Sequence, residues 1–209
     1  RDRNFTFNPA VASPTDGTWL LTRVRLGLKG NFSAATSGYV QVQDAREISS
    51  DRPRVPYILG SEGDDPLDLR QLYLDFKNAD CAVRVGRQVL AFGDERLVGP
   101  VDWNNLARSF DAARVTWPKV GAGLDAFVGS VVQVQPGAAG GWHANHSSRD
   151  DLFAGIYSRF GVSDTLKVEP YVLRREKKTD TLYSVAGAGT ARPYDLPQKI
   201  TTYGLRWTG

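Results

Sequence analysis

The sequence predicts an all-β protein, an antiparallel transmembrane β-barrel, and three observations carry that expectation. Segments of about ten residues alternate apolar and polar side chains, the period of a strand whose two faces meet different surroundings. The connections between these segments alternate short and long from the second segment onward. No stretch of useful length repeats apolar residues at helical spacing.

The segments follow in order. Arg3 to Asn8 reads as the tail of a strand, and Pro9 to Gly17 as a loop. From Thr18 to Lys29, Leu20, Val24, Leu26 and Leu28 share a face with Thr22, while Arg23, Arg25, Gly27 and Lys29 take the other. After a polar turn, Gly38 to Arg46 sets Val40 and Val42 against Tyr39, Gln41 and Gln43. A loop rich in Pro, Gly, Ser and Asp runs from Glu47 to Pro66. Next, Leu69 to Lys77 sets Leu72, Leu74 and Phe76 against Gln71, Tyr73, Asp75 and Lys77. Asn78 to Cys81 turns the chain into Ala82 to Phe92, where Val83 and Val85 oppose Arg84, Gly86 and Gln88.

Beyond the loop Gly93 to Leu106, Ala107 to Trp117 sets Ala113, Val115 and Trp117 against Arg108, Phe110, Ala112 and Arg114. A turn at Pro118-Lys119 leads to Ala122 to Val134, with Leu124, Ala126 and Val128 opposite Asp125 and Phe127. Gln135 to Asp150 is a Gly-rich loop. Leu152, Ala154, Ile156 and Phe160 then oppose Phe153, Tyr157 and Arg159. Leu166 to Arg174 carries Lys167, Glu169 and Tyr171 on its polar side, and Pro170 weakens its middle because it lacks a ladder donor. After Arg175 to Pro197, Lys199 to Thr208 sets Tyr203, Leu205 and Trp207 against Thr202, Gly204 and Arg206. The count is about ten strands, the range of a small membrane barrel.

Composition agrees. The chain has 209 residues, 41% of them hydrophobic, and no window approaches the roughly 18 apolar residues of a transmembrane helix. A membrane barrel keeps mean hydropathy low because only alternate strand residues meet lipid. Short turns belong at the periplasmic rim and long loops outside, which puts the chain's beginning on the periplasmic side. Trp19, Trp117, Tyr203 and Trp207 at strand ends suit an interfacial girdle. The net charge of +3 is dispersed along strands with no basic run, so nucleic acid is not an expected partner. One cysteine, Cys81, excludes an internal disulfide and supplies no metal spacing.

The parity opposite the oily face is cationic. Arg23, Arg25, Lys29, Arg84, Arg108, Arg114, Arg159, Lys167 and Arg206 fall there, against Asp75, Asp125 and Glu169. Lining a lumen, these side chains would favour anions, and guanidinium forks suit carboxylates. The bland reading makes them salt-bridge ladders across a barrel interior. Arg87 falls on the oily parity. Either a bulge at Gly86 re-aims it, or the strand has left the hydrocarbon there; both stay open.

No catalytic constellation is visible. His143 and His146 lack a triad partner or metal pattern. Asp64-Asp65 and Asp150-Asp151 read as solvated loop carboxylates. Enzyme activity, cofactor and metal are therefore not expected.

Val85 to Pro100 (VGRQVLAFGDERLVGP), Asp102 to Asn105 (DWNN) and Arg108 to Arg114 (RSFDAAR) resemble the alginate-export family of outer-membrane porins. Leu20 to Leu28, Tyr39 to Arg46 and Asp68 to Phe76 fit as well. The resemblance implies a barrel in the Gram-negative outer membrane with an electropositive constriction passing an acidic polysaccharide. It carries Arg23, Arg25, Arg84, Arg87, Arg108 and Arg114 over as path-lining positions. Family barrels have about eighteen strands, so residues 1–209 are expected to form a single barrel domain that is incomplete at its C-terminus.

The expected function is an outer-membrane channel or exporter for an anionic polysaccharide, alginate-like, or for another anionic solute. Outer-membrane lipid and periplasmic export proteins are the further partners. The alternative is a soluble or surface β-sandwich that binds anionic glycans with the oily face as its core.

Overall fold

The computed structural model describes residues 19–49, 65–133, 144–178 and 197–209. They form ten antiparallel strands and no helix: β1 (Leu20–Asn31), β2 (Thr36–Ile48), β3 (Asp65–Lys77), β4 (Ala82–Gln88), β5 (Phe110–Trp117), β6 (Gly123–Gln133), β7 (His146–Ser147), β8 (Asp151–Gly161), β9 (Lys167–Lys177) and β10 (Gln198–Thr208). Nine of them neighbour one another in chain order, and β7 pairs with the end of β6. This is an up-and-down meander with β1 and β10 at its edges, and the sheet is not closed among the described residues. The Arg3–Asn8 segment, His143 and Asp64 lie outside them.

Local chemistry builds the short end. Phe32 and Ser33 both donate their N–H to the Thr36 carbonyl. The Asn78 side chain accepts from the N–H groups of Asp80 and Cys81, an Asx-type turn. Ser163 does the same for Leu166. The long connections, 49–64, 89–109, 134–150 and 178–197, all emerge at the opposite end. The alternation of connection lengths therefore holds, with β7 as an addition inside the third long one.

Strand phase also holds. Leu28 is 72% exposed and Leu205 56%, and Leu26, Leu72, Leu74, Val85, Val128 and Ile156 are exposed on the same face. A sandwich would bury this face. Here the buried cluster lies on the other side, where Leu90, Phe92 and Val98 pack against Phe110, Ala112, Phe127, Tyr157 and Leu173. Phe32, Phe76, Phe160 and Trp207 are exposed toward the short-turn end, as an aromatic belt at an interface requires.

Two departures have local causes. Pairing between β8 and β9 lapses where Ser158 and Arg159 face Pro170 and Glu169, then resumes in the same register. Pro170 has no N–H to give β8, yet its pairing with Leu205 of β10 survives. In β2–β3 the register shifts between Gln41 and Val42, leaving Arg70 as the extra residue. This bulge turns Arg70 out of the oily parity and buries it to 2% exposure.

Candidate functional site

The inner face is organised by the connection between β4 and β5. The sequence reads Gly93 to Leu106 as an external loop, but the chain leaves β4 at Gln88 and folds across the inner face. Phe92 stacks between Phe127 (5.3 Å) and Tyr157 (5.0 Å), and Tyr157 stacks on Tyr171 at 5.5 Å. The Phe92 N–H donates to the Val98 carbonyl, which closes this stretch into a compact lobe.

Charged contacts fasten both ends of the loop. Arg206 of β10 holds Asp94 through Nη2 (2.5 Å) and Nε (3.1 Å). On the far edge, Arg25 of β1 donates to Asp102 at 2.7 Å, and Arg23 donates to the carbonyls of Asp102 and Asn104. Gln43 of β2 donates to the Leu106 carbonyl. The two edge strands of the described sheet, β1 and β10, thus grip one short segment. Beside the Asp94 anchor lies a cavity of about 450 Å³ lined by Phe92, Tyr157, Tyr171, Leu173 and Arg206.

Most of the expected lining residues are neutralised by a partner. Arg84 grips Asp75 through two hydrogen bonds and lies 3.8 Å over the Tyr73 ring. Asp125, with no exposed surface, takes Arg114 at 2.7 Å and Arg159 at 2.5 Å, and accepts from Thr116. Glu169 accepts from Arg206 and from the Tyr157 hydroxyl. Asp102 sits close to Arg25 and 3.6 Å from Arg70. Against its partial burial, hydrogen bonding to Arg25 and the charges of Arg25, Arg70 and Arg23 hold its carboxyl below the usual range. The Arg206 hydrogen bonds do the same for Asp94.

Lys29 and Arg108 have no carboxylate partner among the described residues. Arg108 stands in the loop before β5, not in the strand. Burial, with Arg175 nearby, depresses its guanidinium.

Arg87 is separate. Its register is unbroken on both sides, opposite Leu72 and Asp111, so no bulge re-aims it. Gly86 has φ of +126°, and a Cβ there would meet the Leu72 carbonyl oxygen at 2.3 Å, so glycine is needed for close strand contact. Arg87 stays on the parity of Val83 and Val85, near the long-loop end. There it pairs with Asp111 through two hydrogen bonds and donates to the carbonyls of Leu69 and Asn145. Ser147 and Asn145 complete the network by donating to Asp111 and Asp65. Asp65, read as solvated, is buried.

Sequence reasoning missed Arg70, which donates to the Arg108 carbonyl and the Ser109 hydroxyl. It also missed the Arg175–Asp151 pair, joined by two hydrogen bonds of 2.8 and 2.6 Å, because β9 runs on to Lys177. The inward loop did leave a signal. Val98 in the loop, and Val89, Leu90 and Phe92 that the alternation assigns to the strand before it, make the connection too apolar to meet only water.

A family model described as alginate export matches residues 2–209. The chain belongs to the alginate-export family. That family is of the outer-membrane porin type and serves transport, in keeping with a meander whose oily face is bare and whose charged face is turned inward. No curated protein and no solved structure matches the chain.

Proposed function

We propose that this alginate-export family member is an outer-membrane channel for an anionic solute, with an acidic polysaccharide as the cargo class. Residues 1–209 belong to one barrel domain, and no reaction is catalysed. The carrying observation is the imbalance of charge on the inner face. Asp125 serves two guanidiniums, Asp102 faces Arg25 and Arg70, and Arg108 has no carboxylate among the described residues. Fixed positive charge along a narrow path lowers the cost of moving an anion out of bulk water.

The pairs divide the labour. Arg84 is matched one-to-one by Asp75 and Arg206 meets two carboxylates, so these keep the lumen's shape and add no positive field. Arg114 and Arg159 share Asp125 and leave one positive charge over. Arg108 and Lys29 add to that field, and Arg23 and Arg25 act through the loop that they hold. Arg87, on the outer parity, drops out of the proposed lining. Outer-membrane lipid covers the oily face, and the short-turn rim faces any periplasmic export partner.

Planar-bilayer reversal potentials in a salt gradient test this reading. Arg108→Glu should cut anion preference more than Arg84→Gln does, since Arg84 already carries a matched charge. Equal effects, or selectivity untouched by Arg108→Glu, would overturn it.

A further inference from the structure

Above the oily band, the outer face carries charge in three places, and they differ. Arg87 and Asp111 are matched and covered by the Asn145–Ser147 segment. Arg46 and Asp44 form a matched pair through two hydrogen bonds. On β9 and β10 the match fails among the described residues. Arg174 and Lys199 both draw on the single carboxylate of Glu176, at 3.3 and 2.9 Å, and both cations stay more than half exposed. Lys178 follows two residues beyond Glu176, reaching Asp150 at only 3.7 Å and remaining well exposed.

We propose that Arg174 and Lys199, with Lys178 beside them, form a docking site for a phosphorylated lipid headgroup of the outer leaflet. The inference rests on the outer-membrane reading, and it adds a ligand that the solute path does not use. Height is the first argument. Arg174 follows two residues after Val172, about 7 Å further along the strand, and Val172 pairs with Ile156 and Tyr203, all three exposed. The cations therefore stand at headgroup level over side chains suited to acyl chains, at the long-loop end that faces outward.

Donor supply is the second argument. Arg174 uses Nη1 on the Thr201 hydroxyl and Nη2 on Glu176, leaving other N–H groups of its fork free for an oxyanion. Lys199 has three ammonium protons and, among the described residues, one carboxylate acceptor. Glu176 holds both side chains and Thr201 holds Arg174 from the neighbouring strand, so their ordering is partly in place before a ligand arrives. A phosphate monoester has the charge and the several acceptor oxygens to bridge the two cations.

The test places the full chain in bilayers of neutral phosphatidylcholine doped with either diphosphorylated or dephosphorylated lipid A, and reads bound lipid by native mass spectrometry. Binding of the phosphorylated form should be stronger. Replacing both cations, R174Q with K199Q, should weaken it about thirtyfold, given roughly 1 kcal/mol per basic side chain at such a surface. R174K with K199R should restore it, and K119Q at the opposite rim should leave it unchanged. Inorganic phosphate at millimolar levels should not compete, because the oily band supplies part of the binding. Equal retention of the two lipids, or full retention by R174Q/K199Q, overturns the site. Effective competition by inorganic phosphate overturns the lipid as its ligand. Failure to insert into phosphatidylcholine at all would instead overturn the barrel reading beneath it.

Discussion

The inner face is two surfaces joined along β4. On β1–β3 it is polar and light: Gln71 donates to Gln41, Gln41 to the Tyr39 hydroxyl, and Arg25 to Gln43. On β5–β9 it is dense and aromatic, with Phe110, Phe127, Phe153, Tyr157 and Tyr171 beneath the folded loop. Both halves have the same strand alternation. Only one half supplies flat apolar surface, so the loop seats its Phe92 lobe there and reaches the other half through hydrogen bonds. Seating depends on apolar area, and reach depends on charge.

The largest effect that would sharpen this contrast is Phe92→Ala. Removing a ring stacked on two others should cost about 3–5 kcal/mol, read by urea unfolding in micelles. A loss below 1 kcal/mol would mean that the aromatic half does not seat the loop. Asp125→Ala comes next, at about 3 kcal/mol, because it strands Arg114 and Arg159 next to a buried position. Asp125→Asn, which keeps an acceptor for Thr116 and the guanidiniums, should cost less.

Acid should separate the halves. The carboxyls of Asp94 and Asp102 are depressed, so their contribution is present above the ordinary carboxylate pKa and is lost as pH falls through the depressed value. Below about pH 4 the loop's charged ends should release while the Phe92 lobe stays seated. Amide hydrogen exchange checks this: protection should fall at 101–105 before it falls at 90–92. Simultaneous loss would merge the two surfaces into one. The smallest effect is expected at Gln71→Ala, under about 1 kcal/mol, since the Gln41 amide left behind can turn to water.

Much of the fold was legible because the signal was local. Leu26 and Leu28 against Arg25 and Lys29 fixed the phase of β1, and Asn78 and Ser163 made turns from their own side chains. The site was legible in part. Arg84 and Asp75, or Arg114 and Asp125, appear in the sequence as opposite charges on one parity, but their pairing depends on strand register, which period alone does not supply. Arg70 was hidden by a bulge that shifts its face, and no residue at 41–42 or 69–71 advertises one. Arg108 was read as a strand residue because Arg108 and Arg114 share a parity, yet β5 begins only at Phe110. The inward loop was missed because apolar residues do not say which surface will receive them.

The two charged anchors of that loop also bear on the time order of folding. Asp102 meets Arg25 across 77 residues, and Asp94 meets Arg206 across 112. Loop-closure entropy grows only logarithmically, so the longer closure costs about 0.3 kcal/mol more than the shorter. Sequence separation therefore weighs little on the stability of either anchor, but it weighs on their timing, since contacts this far apart form slowly. The Asp94 anchor must wait for β10 to arrive. Until then the Phe92 lobe is clamped on one side only, and the arrival of β10 is the event that fixes the position of the loop on the inner face.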